Sequence, residues 1–206
     1  MTTTLTVQEH FCQQYWRFSC ELYANSTVAS ACLRLQDFHS TNVNVVLFEC
    51  FLIRCGFTLE FEELNQVLLA IAREDYELKV FRDARIEAKP VASDPVKDKI
   101  YALMKASELQ LEKQQQKAIV EAWWRSVEQL SHYSRKLSYE IRELLEQTPE
   151  VQEASDEYIT DVAEASLYSY LITNIEKQNA DAILSDFQLI HDHSININPI
   201  SAFADS

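Results

Sequence analysis

Apolar residues recur along this chain every three or four positions, the period of helices that bury one face. Phe11, Tyr15, Phe18 and Leu22 form the first stripe and predict a helix over about 10–24, with Trp16 and Tyr23 widening its apolar face. Asn25 and Ser26 break the pattern, and Ser26 is positioned to cap a second helix carrying Val28, Cys32, Leu35 and Phe38 to about His39. After the turn Ser40, Thr41, Asn42, the run VNVVLFECFLIRC is apolar nearly all round. It predicts the central helix, capped by Asn42 and closed by Gly56 at a left-handed exit position.

A fourth helix is predicted from Thr58, with Phe61, Leu64, Leu68 and Ile71, and a fifth from Asp75 to Lys89, with Tyr76, Val80, Phe81 and Ala84. Lys89-Pro90 ends it, PVASD links, and Asp94-Pro95 is a strong start signal for a long sixth helix. Val96, Ile100 and Leu103 are expected to begin the buried face of that helix. Its polar stretch 107–117 should be solvated or lie across a groove.

From Val120 the stripe Val120, Trp123, Val127, Leu130, Ser134, Leu137, Ile141, Leu144 alternates by three and four, a heptad pattern. It predicts an intramolecular hairpin with the next helix; a self-association stripe joining two copies as a homodimer is the alternative. Thr148-Pro149 turns the chain into an acidic helix to about Gln178, with Ile159, Ala163, Leu167, Tyr170 and Leu171 available to pack back. A short helix with Ile183, Phe187 and Ile190 precedes an end expected to fray from His191. The predicted fold is all-α, a compact multi-helix bundle with a C-terminal acidic helical hairpin. Its expected organisation is a core domain over 8–120, the heptad and acidic helices over 121–190, and a tail over 191–206.

Composition narrows the chemistry. Gly56 is the sole glycine among 206 residues, so phosphate-binding loops, dinucleotide fingerprints and nucleophile elbows, each needing several glycines, are excluded. The five cysteines, at 12, 20, 32, 50 and 55, include no C-x-x-C pair and sit among apolar residues, as free thiols in a reducing compartment do. MTTTLTVQEHF lacks the marks of a signal peptide, and the most apolar run, 43–57, is short and carries Asn44, Glu49 and Arg54. A cytoplasmic protein is expected.

Of the net charge of −14, −10 falls within residues 148–206, where Lys177 is the single base. Without clustered Lys and Arg, neither nucleic-acid nor anionic-membrane binding is expected, whereas a basic protein partner would suit the acidic segment. No metal or cofactor is expected. His191-Asp192-His193 lacks a third ligand of defined spacing, Asp156, Glu157 and Asp161 fit the charge preference of a helix start, and the Glu-x-x-His pairs of di-iron bundles are absent.

The remaining candidate chemistry is polar and lies in the amino-terminal half: Gln36, Asp37 and Asn44 around the turn into the central helix, then Arg82, Arg85 and Glu108, with Glu112 beside them. Burial of such groups requires partners. Arg82 and Arg85 could clamp an acidic ligand, or pair with Asp37 and Glu108.

Trp16-Arg17-Phe18-Ser19, Leu22-Tyr23-Ala24, Ala31-Cys32-Leu33, Leu35-Gln36-Asp37 and Asn42-Val43-Asn44 with Leu47-Phe48 resemble a family of short proteobacterial hypothetical proteins, a domain of unknown function. The resemblance spans about 10–120, continuing through 82–89 and Lys105, Glu108 and Glu112. Ser40 stands where that family usually has glycine, Asn42 where it has aspartate, and the tryptophan common near Tyr76 is missing. The resemblance implies a bacterial cytoplasmic helical protein and carries no activity with it. Three roles are compatible with these readings. The leading one is a non-catalytic interaction or regulatory protein. A small-molecule-binding protein or enzyme with a polar pocket and a self-associating structural protein are the others.

Overall fold

A computed structural model describes residues 6–91, 94–129 and 180–198, which form six helices and, among the described residues, no strand. Helix α1 (Val7–Tyr23) starts three residues before the apolar stripe suggested. Thr6 Oγ1 accepts from Glu9 N–H at 3.2 Å and the Glu9 carboxylate accepts from Thr6 N–H at 2.8 Å, a capping box written in the sequence as Thr-x-x-Glu. Helix α2 (Ser26–His39) is capped by Asn25, whose Oδ1 accepts from Thr27 N–H at 2.9 Å, so the cap falls one residue before the expected Ser26. Ser40 closes α2 in the left-handed region at φ 52°.

Helix α3 (Val43–Arg54) starts and ends as expected. Asn42 Oδ1 accepts from Val45 N–H at 3.1 Å, and Gly56 at φ 79° supplies the left-handed step that ends it. Every residue from 44 to 52 is buried, so α3 is the central helix. The aromatic core gathers around it. Phe11 of α1 meets Phe51 edge-on at 5.0 Å and stacks on Trp123 at 5.5 Å, while Tyr15 meets Phe48 at 5.1 Å.

The two helices expected over 58–89 are one, α4 (Phe61–Glu87). Ala72, Arg73 and Glu74 are good helix formers without Gly or Pro among them, and Arg73 pairs with Glu77 at 2.8 Å one turn on, so nothing halts the helix. Helix α5 (Pro95–Gln129) begins at the expected Asp94-Pro95, Asp94 Oδ1 accepting from Val96 N–H at 3.0 Å. Helices α4 and α5 pack extensively against each other. Val96, Ile100 and Leu103, expected to begin the buried face of α5, are exposed because this far end of the pair extends past α1 and α3, and Tyr76 and Val80 of α4 are exposed as well. Phe38 is likewise exposed rather than part of the α2 core face.

The last described helix, α6 (Ala180–Ser194), lies on α2 and α3. Ile183, Phe187 and Ile190 are buried as expected. His191, Ser194 and Ile197 are buried too, so among the described residues the core reaches Ile197, inside the segment where fraying was expected; 199–206 lie outside the described residues. Arg34 of α2 holds Asp186 of α6 through its Nε at 3.0 Å and through Nη2. Val120, Trp123 and Val127 of the heptad stripe are buried in the chain's own core; Leu130, Leu137, Ile141 and Leu144, and the acidic helix with them, lie outside the described residues.

Candidate functional site

Where α1, α2, α3, α4 and α5 converge, they leave a cavity of about 650 Å³. Trp16, Ser19, Cys20 and Tyr23 of α1 form one wall; Gln36, Asp37 and the turn 40–42 form another. Asn44 and Leu47 of α3 line it with Asp75, Leu78, Lys79, Arg82 and Asp83 of α4 and Leu109, Glu112, Gln115 and Gln116 of α5. The cavity therefore collects Gln36, Asp37, Asn44 and Arg82 from the six candidate polar residues. Arg85 and Glu108 are not among its lining.

Arg82 and Arg85 are engaged with acids of the same chain. Arg82 donates from Nε to Glu108 at 3.1 Å and from Nη2 to Glu112 at 3.2 Å. Arg85 donates to both oxygens of Glu108 and, from Nη1, to the Tyr101 hydroxyl at 3.1 Å. The expected pairing with Glu108 is present, but Glu112 takes the place proposed for Asp37. Two guanidiniums and two carboxylates form a neutral brace between α4 and α5, so Arg82 and Arg85 are not a free fork for an acidic ligand. Burial pushes the Glu112 carboxyl above its ordinary value despite Arg82, and the hydrogen bond to Glu108 pushes the Arg85 guanidinium up.

The cavity floor is a chain of side-chain amides whose direction is set at one end. The Asp75 carboxylate accepts from Asn42 Nδ2 at 2.7 Å and from Gln115 Nε2 at 3.3 Å. A carboxylate only accepts, so Gln115 must present its amide nitrogen to Asp75 and its oxygen elsewhere. Gln115 Oε1 accepts from Asn44 Nδ2 at 2.7 Å, and Asn44 Oδ1 accepts from Gln116 Nε2 at 2.9 Å. The last atom of the relay is then Gln116 Oε1, buried and without a hydrogen-bond partner among the described residues. Beneath it the Tyr15 hydroxyl donates to the Asn44 backbone carbonyl, tying the relay to α1.

Gln115, Gln116 and Asp75 were missed from the sequence, and Asn42 was read only as a cap. The stretch 107–117 does line a groove, as one of its two expected placements had it. A signal was available: stepping back by four from Val120 gives Gln116, Glu112 and Glu108, so the apolar stripe continues as polar residues in register.

His191 and His193 do not converge. The buried His191 ring stacks on Phe187 at 6.3 Å, and His193 Nδ1 donates to Leu189 O at 2.8 Å. No helix among the described residues is long and apolar enough to cross a membrane.

Fold and site together define an all-helical protein with a polar, aromatic-walled cavity set among five of its helices. The chain belongs to the family described as Protein of unknown function (DUF2390), whose model matches residues 14–119. Every residue that lines the cavity falls within that stretch. Searches of the curated proteins and of the solved structures find no match.

Proposed function

We propose that this protein binds a small molecule in the cavity between α1 and α5, without catalysis of its own. The observation that carries the reading is the cavity itself, walled by Trp16 and Tyr23 and floored by an amide relay whose polarity Asp75 dictates. The cavity's volume of about 650 Å³ suits a ligand of metabolite size. Its wall of Trp16 and Tyr23 supplies apolar area, and the relay supplies a few fixed polar contacts.

Cys20 offers a way to test occupancy without disturbing the core, because it lines the cavity from an exposed position on α1. Cys20→Trp fills part of the space. A thermal-shift panel of amines, sugars, carboxylates and nucleosides is expected to contain compounds that raise Tm of the full chain, and the C20W variant is expected to lose that response while its own melting stays cooperative. A panel without a stabilising compound, or stabilisation equal in both proteins, overturns the reading.

A further inference from the structure

Away from the cavity, the central helix buries a carboxyl group. Glu49 of α3 is 1% exposed, and its Oε1 has no hydrogen-bond partner among the described residues. The carboxyl is tied instead to the connection that follows its own helix, by the backbone N–H of Leu59. That connection, residues 55–60, turns at Gly56, where φ is 79°, and Phe57 N–H donates to Leu52 O at 2.9 Å. Phe57 and Leu59 are its buried side chains, and the Phe57 ring lies 6.1 Å from that of Trp123. We infer that segment 55–60 is a pH-sensitive latch, closed on Glu49 while that carboxyl is neutral and opening locally when it ionises, with the helices still packed.

The groups around Glu49 make its ionised form costly in the closed arrangement. Among the described residues, the titratable groups that bear on it are Glu60 and Glu63 at the start of α4 and the Cys50 thiol on α3, and no base is among them. Glu63 is itself drawn inward, against Trp123 of α5. A negative charge on Glu49 is therefore desolvated, unpaired and repelled by its neighbours. The Leu59 N–H favours that charge, but burial outweighs it and pushes the carboxyl up to about 8. Water can reach the group most cheaply through the short connection, because every residue of α3 from 44 to 52 is buried whereas Gly56 and Glu60 are already exposed. Since the closed value lies above the ordinary one, the latch holds fully below about pH 4.5 and loses its hold as pH rises through about 8. Opening uncovers Phe57, Leu59 and the edge of Trp123.

Amide hydrogen exchange of the full chain, read residue by residue by NMR and corrected for the intrinsic rate at each pH, tests the latch. Protection of the Phe57 and Leu59 amides is expected to fall by roughly tenfold or more between pH 6 and pH 8. At each pH it is expected to lie at least roughly tenfold below that of Phe48 and Phe51 inside α3, and to be insensitive to low urea, as local opening is. Glu49→Gln is expected to abolish the pH dependence. Protection and urea sensitivity equal at all four amides would show that the titration acts only through unfolding of the whole chain, and the inference fails. It fails equally if protection of Phe57 and Leu59 is unchanged from pH 6 to pH 8, or if E49Q keeps the wild-type response. Should E49Q not fold, the comparison of the two pairs of amides in the unaltered protein still decides.

Discussion

Gln116 donates to the side chain of Asn44 across 2.9 Å, joining residues 72 positions apart. Asn44 spends both ends of its amide on α5, giving to Gln115 and receiving from Gln116, while its backbone carbonyl receives the Tyr15 hydroxyl. Three helices are thereby fixed through one side chain and its peptide. Asn44→Leu leaves Gln115 Oε1 and Gln116 Nε2 buried without that partner, and the expected loss is about 2–4 kcal/mol by denaturant unfolding. A loss under about 0.5 kcal/mol would show that the two glutamines repartner readily.

Glu49 governs the pH response. It sits fully buried in α3, where it accepts from the backbone N–H of Leu59 with Glu60 and Glu63 nearby, and burial pushes its carboxyl up to about 8. Because the folded value lies above the unfolded one, its stabilising contribution is complete below about pH 4.5 and is lost as pH rises through about 8. Glu63, raised in the same direction by burial, adds to the trend. Unfolding free energy is expected to fall by on the order of 2–4 kcal/mol between pH 5 and pH 9. Glu49→Gln should flatten most of that slope; an unchanged slope would place the titration elsewhere.

The thiols should separate by access. Cys32, Cys50 and Cys55 are buried and their thiols are raised by desolvation, Cys32 to about 12; Cys12 is half-buried and raised to about 11. Cys20 is the exposed one, its own thiol raised by partial burial. A chromogenic disulfide reagent at mildly alkaline pH is expected to modify Cys20 first, with Cys12 following more slowly. Peptide mapping of the first modified cysteine checks this, and a cavity ligand should slow the Cys20 step.

Arg85 braces the helix pair from outside the cavity lining, its side chain 18% exposed against 10% for Glu108. Arg85→Met is expected to cost about 2–3 kcal/mol in stability, because it leaves Glu108 with Arg82 alone. Ligand affinity measured on the folded variant should stay within about twofold, whereas Arg82→Met, which alters the lining, should change both. Equal effects of the two substitutions on affinity would contradict the division between brace and cavity.

The elements that were legible in the sequence are those settled by neighbours in the chain. Phe11, Tyr15, Phe18 and Leu22 are all buried as their spacing implied, since one helical face turned inward needs only a local period. Asn42, Gly56 and Asp94-Pro95 marked helix ends correctly because caps are made within three residues. Where local reading erred, a contact at long range or an overlooked short motif decided. The single helix α4 reflects the absence of a breaker near Asp75, and the exposed Val96, Ile100 and Leu103 reflect how far the α4 and α5 pair outruns its neighbours.

Sequence by itself determined that this is an all-helical chain with a continuous apolar central helix, without glycine-dependent chemistry, and with most of its net charge near one end. Those properties follow from composition and from periods shorter than a turn or two of helix. Tertiary structure alone decided the partners of the polar residues. It assigned Arg82 and Arg85 to Glu108 and Glu112 rather than to a ligand, and it set Asn44 against glutamines on a helix that begins only at Pro95. It also fixed the direction of the amide relay, because that direction depends on Asp75 being an acceptor at one end. Hydrogen bonds between residues this distant leave no period in the chain, so which polar side chain meets which is settled only when the helices pack.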